Sequence, residues 1–169
     1  GPLGQIVGLL NTLEKKRVAA VGLGTGAIAA YADSNWQLTF FELNPVMEQI
    51  ALNPDYFTYL RDCKSRRCDL NIVLGDGRLS LSKSKDTFDL IVLDAFSSAS
   101  IPIHLLTLEA LEIYLERLSI KGYLAFHISN YHLNLEPVLF HLAGHLGLSA
   151  RVRNDYNPEL NQDKDVSTW

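Results

Sequence analysis

At 169 residues the chain is long enough for one domain with a covered sheet of five to seven strands, and it has little spare length for a separate substrate domain. Its 47% hydrophobic and 20% charged residues and net charge of -4 describe a globular protein with no global electrostatic reason to bind nucleic acid or an anionic membrane. No run approaches the roughly 20 apolar residues of a membrane span, and no basic segment followed by a hydrophobic one opens the chain, so a cytoplasmic protein is expected.

Gly1-Pro2-Leu3-Gly4 reads as the remnant of a cleaved expression tag, which puts a single domain at 5–169. Ile6, Leu9, Leu10 and Leu13 have helical spacing, predicting a helix from Gln5 to Lys16. The stretch Arg17 to Glu42 then reads as strand, glycine turn, short helix and second strand ending in a carboxylate. Val18 to Val21 is the apolar run of a strand covered on both faces, and Gly22, Gly24 and Gly26 allow a sharp turn into a helix with unpaired N-terminal amides. Glu42 stands where a ribose diol would be bound beyond the second strand.

Asn44-Pro45 predicts a helix start, and a second helical piece is expected over Tyr56 to Asp62. Leu70 to Leu74 is a third strand stopping at Gly75-Asp76-Gly77, and Phe88 to Leu93 a fourth stopping at Asp94. Leu108, Leu111, Leu115 and Leu118 mark an amphipathic helix that Thr107 can cap and Lys121-Gly122 breaks. Tyr123 to Ile128 is a fifth strand, Leu135 to Leu146 a helix, Leu148 to Val152 a sixth strand, and Val166 to Trp169 the clipped opening of another. This alternation predicts an α/β, doubly wound, mainly parallel Rossmann-like sheet of about six to seven strands with helices on both faces. Glu42, Asp76 and Asp94 then face one crevice at the strands' C-terminal ends.

The turn Gly22-Leu23-Gly24-Thr25-Gly26-Ala27 alone also satisfies a looser dinucleotide fingerprint, which keeps a nicotinamide-linked oxidoreductase among the readings. Each acid has a plain alternative as well: a solvated strand end for Glu42, a turn residue for Asp76 and a cap for Asp94. Five histidines are present, but His127, His132, His141 and His145 form no recognisable metal set, and no metal is expected. His127 ends the fifth strand, where it could line the crevice, and His104 lies in the loop after Asp94 that could cover it; these, with Tyr114 and Tyr131, are expected chiefly to have packing or surface roles. Cys63 and Cys68, with four residues between them in DCKSRRCD, are expected to be reduced thiols, and Lys64, Arg66 and Arg67 a solvated loop. Ser97 lacks a nucleophile elbow.

The ordered segments VGLGTG, FFELN, LGDGR, FDLIVLDAFSS, SIPIHLLTLEALEIYLERL and GYLAFHISN resemble the class I S-adenosylmethionine-dependent methyltransferase fold and, within it, the spermidine synthase family. The similarity runs from about Arg17 to about Gly147, and FDLIVLDAFSS with the following TLEAL helix is its most specific part. The resemblance implies a transferase using S-adenosylmethionine or decarboxylated S-adenosylmethionine, without metal. It puts Gly22, Gly24, Thr25 and Gly26 under the donor's amino-acid or aminopropyl end, Glu42 and Leu43 at its ribose, and Asp76 and Gly77 at its adenine. Asp94, followed by Ala95, is similar to the family's general base for an attacking amine, a role chemistry supports because an ammonium is no nucleophile. Three departures stand out. Thr25 replaces the acid usual in spermidine synthases, Ala95 to Ala99 replace a DSSDP-like run with its second acid, and the family's N-terminal β-hairpin domain is not expected within this sequence unless it lies upstream of it. The expectation is therefore aminopropyl or related transfer to a small-molecule acceptor such as an amine, with homodimerisation left open. A small-molecule methyltransferase and a non-catalytic nucleoside-binding or interaction domain are the alternatives.

Overall fold

The computed structural model describes residues 1–96, 101–129, 133–155 and 167–169. Its centre is a parallel sheet of β1 (Lys16–Val21), β2 (Trp36–Glu42), β3 (Asp69–Leu74), β4 (Phe88–Leu93) and β5 (Leu118–Phe126), in the order β3-β2-β1-β4-β5. Helices α1 (Pro2–Gly8), α2 (Pro45–Leu52), α3 (Tyr59–Ser65), α4 (Gly77–Lys83), α5 (Leu108–Glu116) and α6 (Glu136–His145) join short 3-10 turns at Ala27–Tyr31 and Ile103–Leu105. The chain builds β1, β2 and β3 outward in one direction, then returns to place β4 on the other side of β1. That reversal opens a crevice beyond the C-terminal ends of β1 and β4.

The period of two along each central strand decides which side chains face which layer. Val18, Ala20, Leu90 and Val92 share one buried cluster with Ile28, Leu60 and Cys63, while Ala19, Val21, Ile91 and Leu93 share the other with Leu81, Leu111 and Tyr114. Because both faces are covered, these strands are continuous apolar runs. Each fully buried aliphatic side chain contributes about 1.5–3 kcal/mol.

Caps set the helix starts. Asn44 accepts from the Val46 amide at 2.9 Å with Pro45 in the first turn, and Thr107 accepts from the Ala110 amide at 3.3 Å, as the sequence predicts. Helix α4 is not anticipated, because GRLSLSK alternates apolar and polar residues like a strand; Asp76 caps it by accepting from the Leu79 amide at 2.8 Å.

Several expectations are corrected. Among the described residues the sheet has five strands, slightly below the expected six to seven: residues 148–152 form no strand, and beyond them Asn154 and Thr168 make an isolated antiparallel bridge. Helix α1 begins at Pro2 and ends at Gly8, so residues 2–4 are part of the fold and Pro2 is buried. Helix α5 stops at Glu116, and Lys121-Gly122 lies inside β5, where the pairing register with β4 shifts. Cys63 and Cys68 are joined in a disulfide, their Cα atoms 5.5 Å apart, and both are buried. The spacing suited neither a redox nor a zinc motif; what decides the pairing is the tight turn after α3, where Arg67 adopts a φ of 65°. Tyr131, His132, Ser97 and Val166 lie outside the described residues.

Tyr114 belongs to the core, with its hydroxyl donating to the Leu105 carbonyl at 3.2 Å. Burial pushes its phenol well above the ordinary value, the nearby Arg78 charge opposing and Asp76 reinforcing the shift. Above about pH 10 the unfolded chain therefore loses this proton while the folded chain keeps it, so stability falls as pH rises. Tyr114→Phe is expected to flatten that alkaline slope in urea midpoints taken from about pH 8 to 11; an unchanged slope would exclude Tyr114 as its source. Thiol titration of the denatured protein without reductant should find no free cysteine. The Cys63→Ala/Cys68→Ala pair should lower the unfolding free energy by roughly 2 kcal/mol.

Candidate active site

The glycine turn follows from close backbone approach. Gly22 has a φ of 96°, and the carbonyl of Asp94 occupies the place a Cβ would take. The Asp94 amide donates to the Val21 carbonyl at 2.9 Å, so the ends of β1 and β4 are bonded together just where the chain turns. Gly24, with a φ of 52°, has nothing within 4 Å of its absent Cβ and faces open space. Gly26 packs against Leu60 of α3. Its neighbouring 3-10 turn ends in carbonyls that Arg66 satisfies, Nε donating to Ala32 at 2.9 Å and Nη2 to Ala29 at 2.8 Å. Arg66 is thus part of the turn's support rather than of a solvated loop.

Glu42 is 8% exposed, and both its oxygens accept backbone hydrogen bonds: Oε2 from the Leu23 amide and Oε1 from the Asn44 amide, each at 2.8 Å. The carboxylate therefore ties the glycine turn to the end of β2. Each oxygen keeps further lone-pair capacity for a hydroxyl donor. Leu43 beside it is 70% exposed, an apolar surface at the crevice rim. Asp76 has both oxygens engaged, Oδ1 on the Leu79 amide and Oδ2 on His104 Nε2 at 3.1 Å. Gly77 is buried where a side chain would strike Val21.

Asp94 extends from the end of β4 with its side chain 42% exposed. Oδ1 lies 2.7 Å from His127 Nδ1, and His127 Nε2 lies 2.9 Å from Ser129 Oγ. The sequence expectation of a packing or surface role for His127 missed this contact. The signal was positional: Leu93 pairs with Phe126, so the next residue on each parallel strand, Asp94 and His127, are neighbours once β5 lies beside β4. His104 goes to Asp76, Tyr114 to the core, and the exposed His141 and His145 stay on α6. No group of three or more metal-binding side chains occurs among the described residues.

A cavity of ≈ 90 Å³ is lined by Gly22, Gly24, Thr25 and Asp94, with Leu3, Phe40 and Val92 behind them. Glu42, Asp76, Gly77 and Ala95 are outside this cavity's lining, although Ala95 crowds Gly22 from the β4 side. A larger cavity of ≈ 790 Å³ beside β5 and α6 contains none of the predicted site residues.

No protein-family profile matches the chain. A polyamine aminopropyltransferase of Vibrio vulnificus (strain CMCP6) is 31% identical over 124 residues, covering 70% of this chain and 40% of that protein. The chain is spermidine synthase-like. It spans less than half the length of that relative. A probable spermidine synthase from Corynebacterium glutamicum ATCC 13032 matches with a TM-score of 0.70 at 19% identity, over 99% of this chain and 59% of that one. A spermidine synthase in complex with the transition state analogue AdoDATO matches at 0.70 and 17%, over 92% and 54%. Human methyltransferase-like protein 13 in complex with SAH matches at 0.68 and 16%, over 99% and 77%. At these identities the structures share the fold, which is that of the S-adenosylmethionine-dependent methyltransferases. Among the described residues, no helix of this spermidine synthase-like chain is long and apolar enough to cross a membrane.

Glu42→Gln tests the double role of its carboxylate. An amide offers one acceptor to two backbone donors, so the unfolding free energy should fall by about 1–3 kcal/mol in denaturant titrations. An unaltered midpoint would show that the turn does not depend on these bonds.

Proposed function

We propose that the chain is a transferase domain that binds S-adenosylmethionine or its decarboxylated form and transfers an alkyl group, aminopropyl or related, to a small amine-like acceptor. The observation that carries this reading is the placement of Asp94: it lines the cavity at the strand-order reversal together with Gly22, Gly24 and Thr25. The residues fit such a donor. Gly24 leaves open space for a ligand chain, Glu42 keeps lone pairs for a ribose diol, and Leu43 presents apolar surface nearby. Asp76 is the weakest of the proposed contacts, because its cap and His104 already use both oxygens.

The donor supplies an activated carbon beside a sulfonium. Asp94 binds the acceptor's ammonium, takes a proton from it, and frees the nitrogen lone pair to attack that carbon. The new C–N bond forms as the C–S bond breaks, with the electron pair leaving on sulfur and the proton held on Asp94. The carboxylates Glu42 and Asp94 favour the cationic donor over its neutral thioether product, which aids release. The remaining contribution is orientation.

A methyltransferase is the second reading. Thr25 in the cavity wall and Ala95 after Asp94 provide neither of the additional acids of the spermidine synthases, which weakens the hold on a di- or triamine.

Calorimetry of the folded protein with S-adenosylmethionine, decarboxylated S-adenosylmethionine and methylthioadenosine is expected to show binding of at least one. Failure of all three would sink the reading. Asp94→Asn should still bind the donor, more weakly, while lowering turnover about 10²- to 10⁴-fold. Mass analysis of the acceptor separates added methyl from added aminopropyl. Donor binding without turnover in either protein would point to a non-catalytic domain.

A further inference from the structure

We infer that His127 is the positioning residue for Asp94: as a neutral imidazole protonated on Nδ1, it clamps one carboxylate oxygen and leaves the other for the acceptor's ammonium. The inference rests on the reading of Asp94 as proton acceptor. The His127 amide donates to the Leu93 carbonyl at 2.9 Å, which extends the β4–β5 ladder one residue past the strands and sets the two side chains side by side. An ionised carboxylate only accepts, so the proton in the 2.7 Å contact between Asp94 Oδ1 and His127 Nδ1 belongs to the ring. The opposite nitrogen faces Ser129 Oγ at 2.9 Å. That oxygen already accepts from the Thr168 amide at 2.8 Å, and its own proton is available to Nε2. A neutral ring with Nδ1–H therefore satisfies every partner without leaving a proton stranded.

The ring has little freedom to leave this arrangement. Trp169 stacks on it with centroids 4.5 Å apart and planes 2° from parallel, and Phe96 meets it edge-on at 4.8 Å. Trp169 is itself anchored by paired backbone bonds with Arg153 at 2.8 and 2.9 Å, and the Ile128 amide donates to the Thr168 carbonyl at 2.9 Å. The segment 167–169 is thereby coupled through Ser129 and the imidazole to Asp94. Neutrality of the ring matters: the pair then retains one negative charge toward the crevice, whereas an imidazolium at this distance would offset it and weaken the hold on a cationic acceptor. Among the described residues only Oδ1 of Asp94 is engaged, so Oδ2 is the oxygen left for the acceptor.

The decisive experiment is a long-range ¹H–¹⁵N spectrum of the wild-type protein at mildly alkaline pH, with the His127 signals identified by their loss in His127→Asn. A neutral ring carrying its proton on Nδ1 is expected. A ring carrying it on Nε2 would overturn the proposal. In Asp94→Ala the ring should move toward the Nε2–H form; persistence of the Nδ1–H form would equally overturn it.

Turnover gives an independent test. Asparagine places its amide nitrogen near the position of Nδ1, so His127→Asn should keep kcat within about threefold of wild type, while His127→Phe should lower it about 10²-fold with donor affinity unchanged. Equal loss in both variants would mean that the residue only packs. If no donor binds, the transferase reading falls while the tautomer result still stands, so the two failures are distinguishable.

Discussion

The close passage of two backbones at the strand-order reversal is the constraint from which the site follows. β4 ends beside β1, and Asp94 is bonded through its amide to Val21 while its carbonyl fills the space beside Gly22. Only a residue without a side chain accommodates that crossing, and the chain must then swing away through Gly24 and Gly26. The turn and the aspartate are thus one construction. Moving Asp94 outward would open the ladder, and filling Gly22 would push Asp94 away. This is why a small cavity, rather than a flat sheet edge, lies at their junction.

Acids end strands β2, β3 and β4, and they differ in how much hydrogen-bonding capacity the fold has already taken. Glu42 is buried and braces the glycine turn through two amides. Asp76 starts α4 and holds His104. Asp94 gives one oxygen to His127 and has its side chain partly exposed. Structural and ligand-binding roles are compatible for a carboxylate with several lone pairs, but the remaining capacity ranks Asp94 first. Arg66 and the Cys63–Cys68 disulfide extend the same logic outward, since the loop they define satisfies the carbonyls behind the glycine turn.

Much of this was readable along the chain. Uniform apolar runs in β1 and β4 announce a sheet covered on both faces, Asn44-Pro45 and Thr107 announce helix starts, and glycines at 22, 24 and 26 announce the turn. Local signals failed where they competed. GRLSLSK alternates like a strand yet forms α4, because Asp76 caps it and Leu81 can bury from a helix. Lys121-Gly122 looked like a helix breaker, but the helix had already ended at Glu116 and the glycine serves a shift of register in β5.

The sequence by itself determined the α/β layering, the glycine turn and the acids at the strand ends, because each rests on a local period or on a backbone conformation that few residues adopt. Only the tertiary structure decided which groups meet. His127 is 33 residues from Asp94 and reaches it solely because β5 lies parallel to β4 in one register. Trp169 and Ser129 complete that contact through pairing between distant segments. The cysteine pair and the number of ladder-forming strands were settled in the same way, by turn geometry and by which backbone edges found partners, neither of which a residue's neighbours in sequence specify.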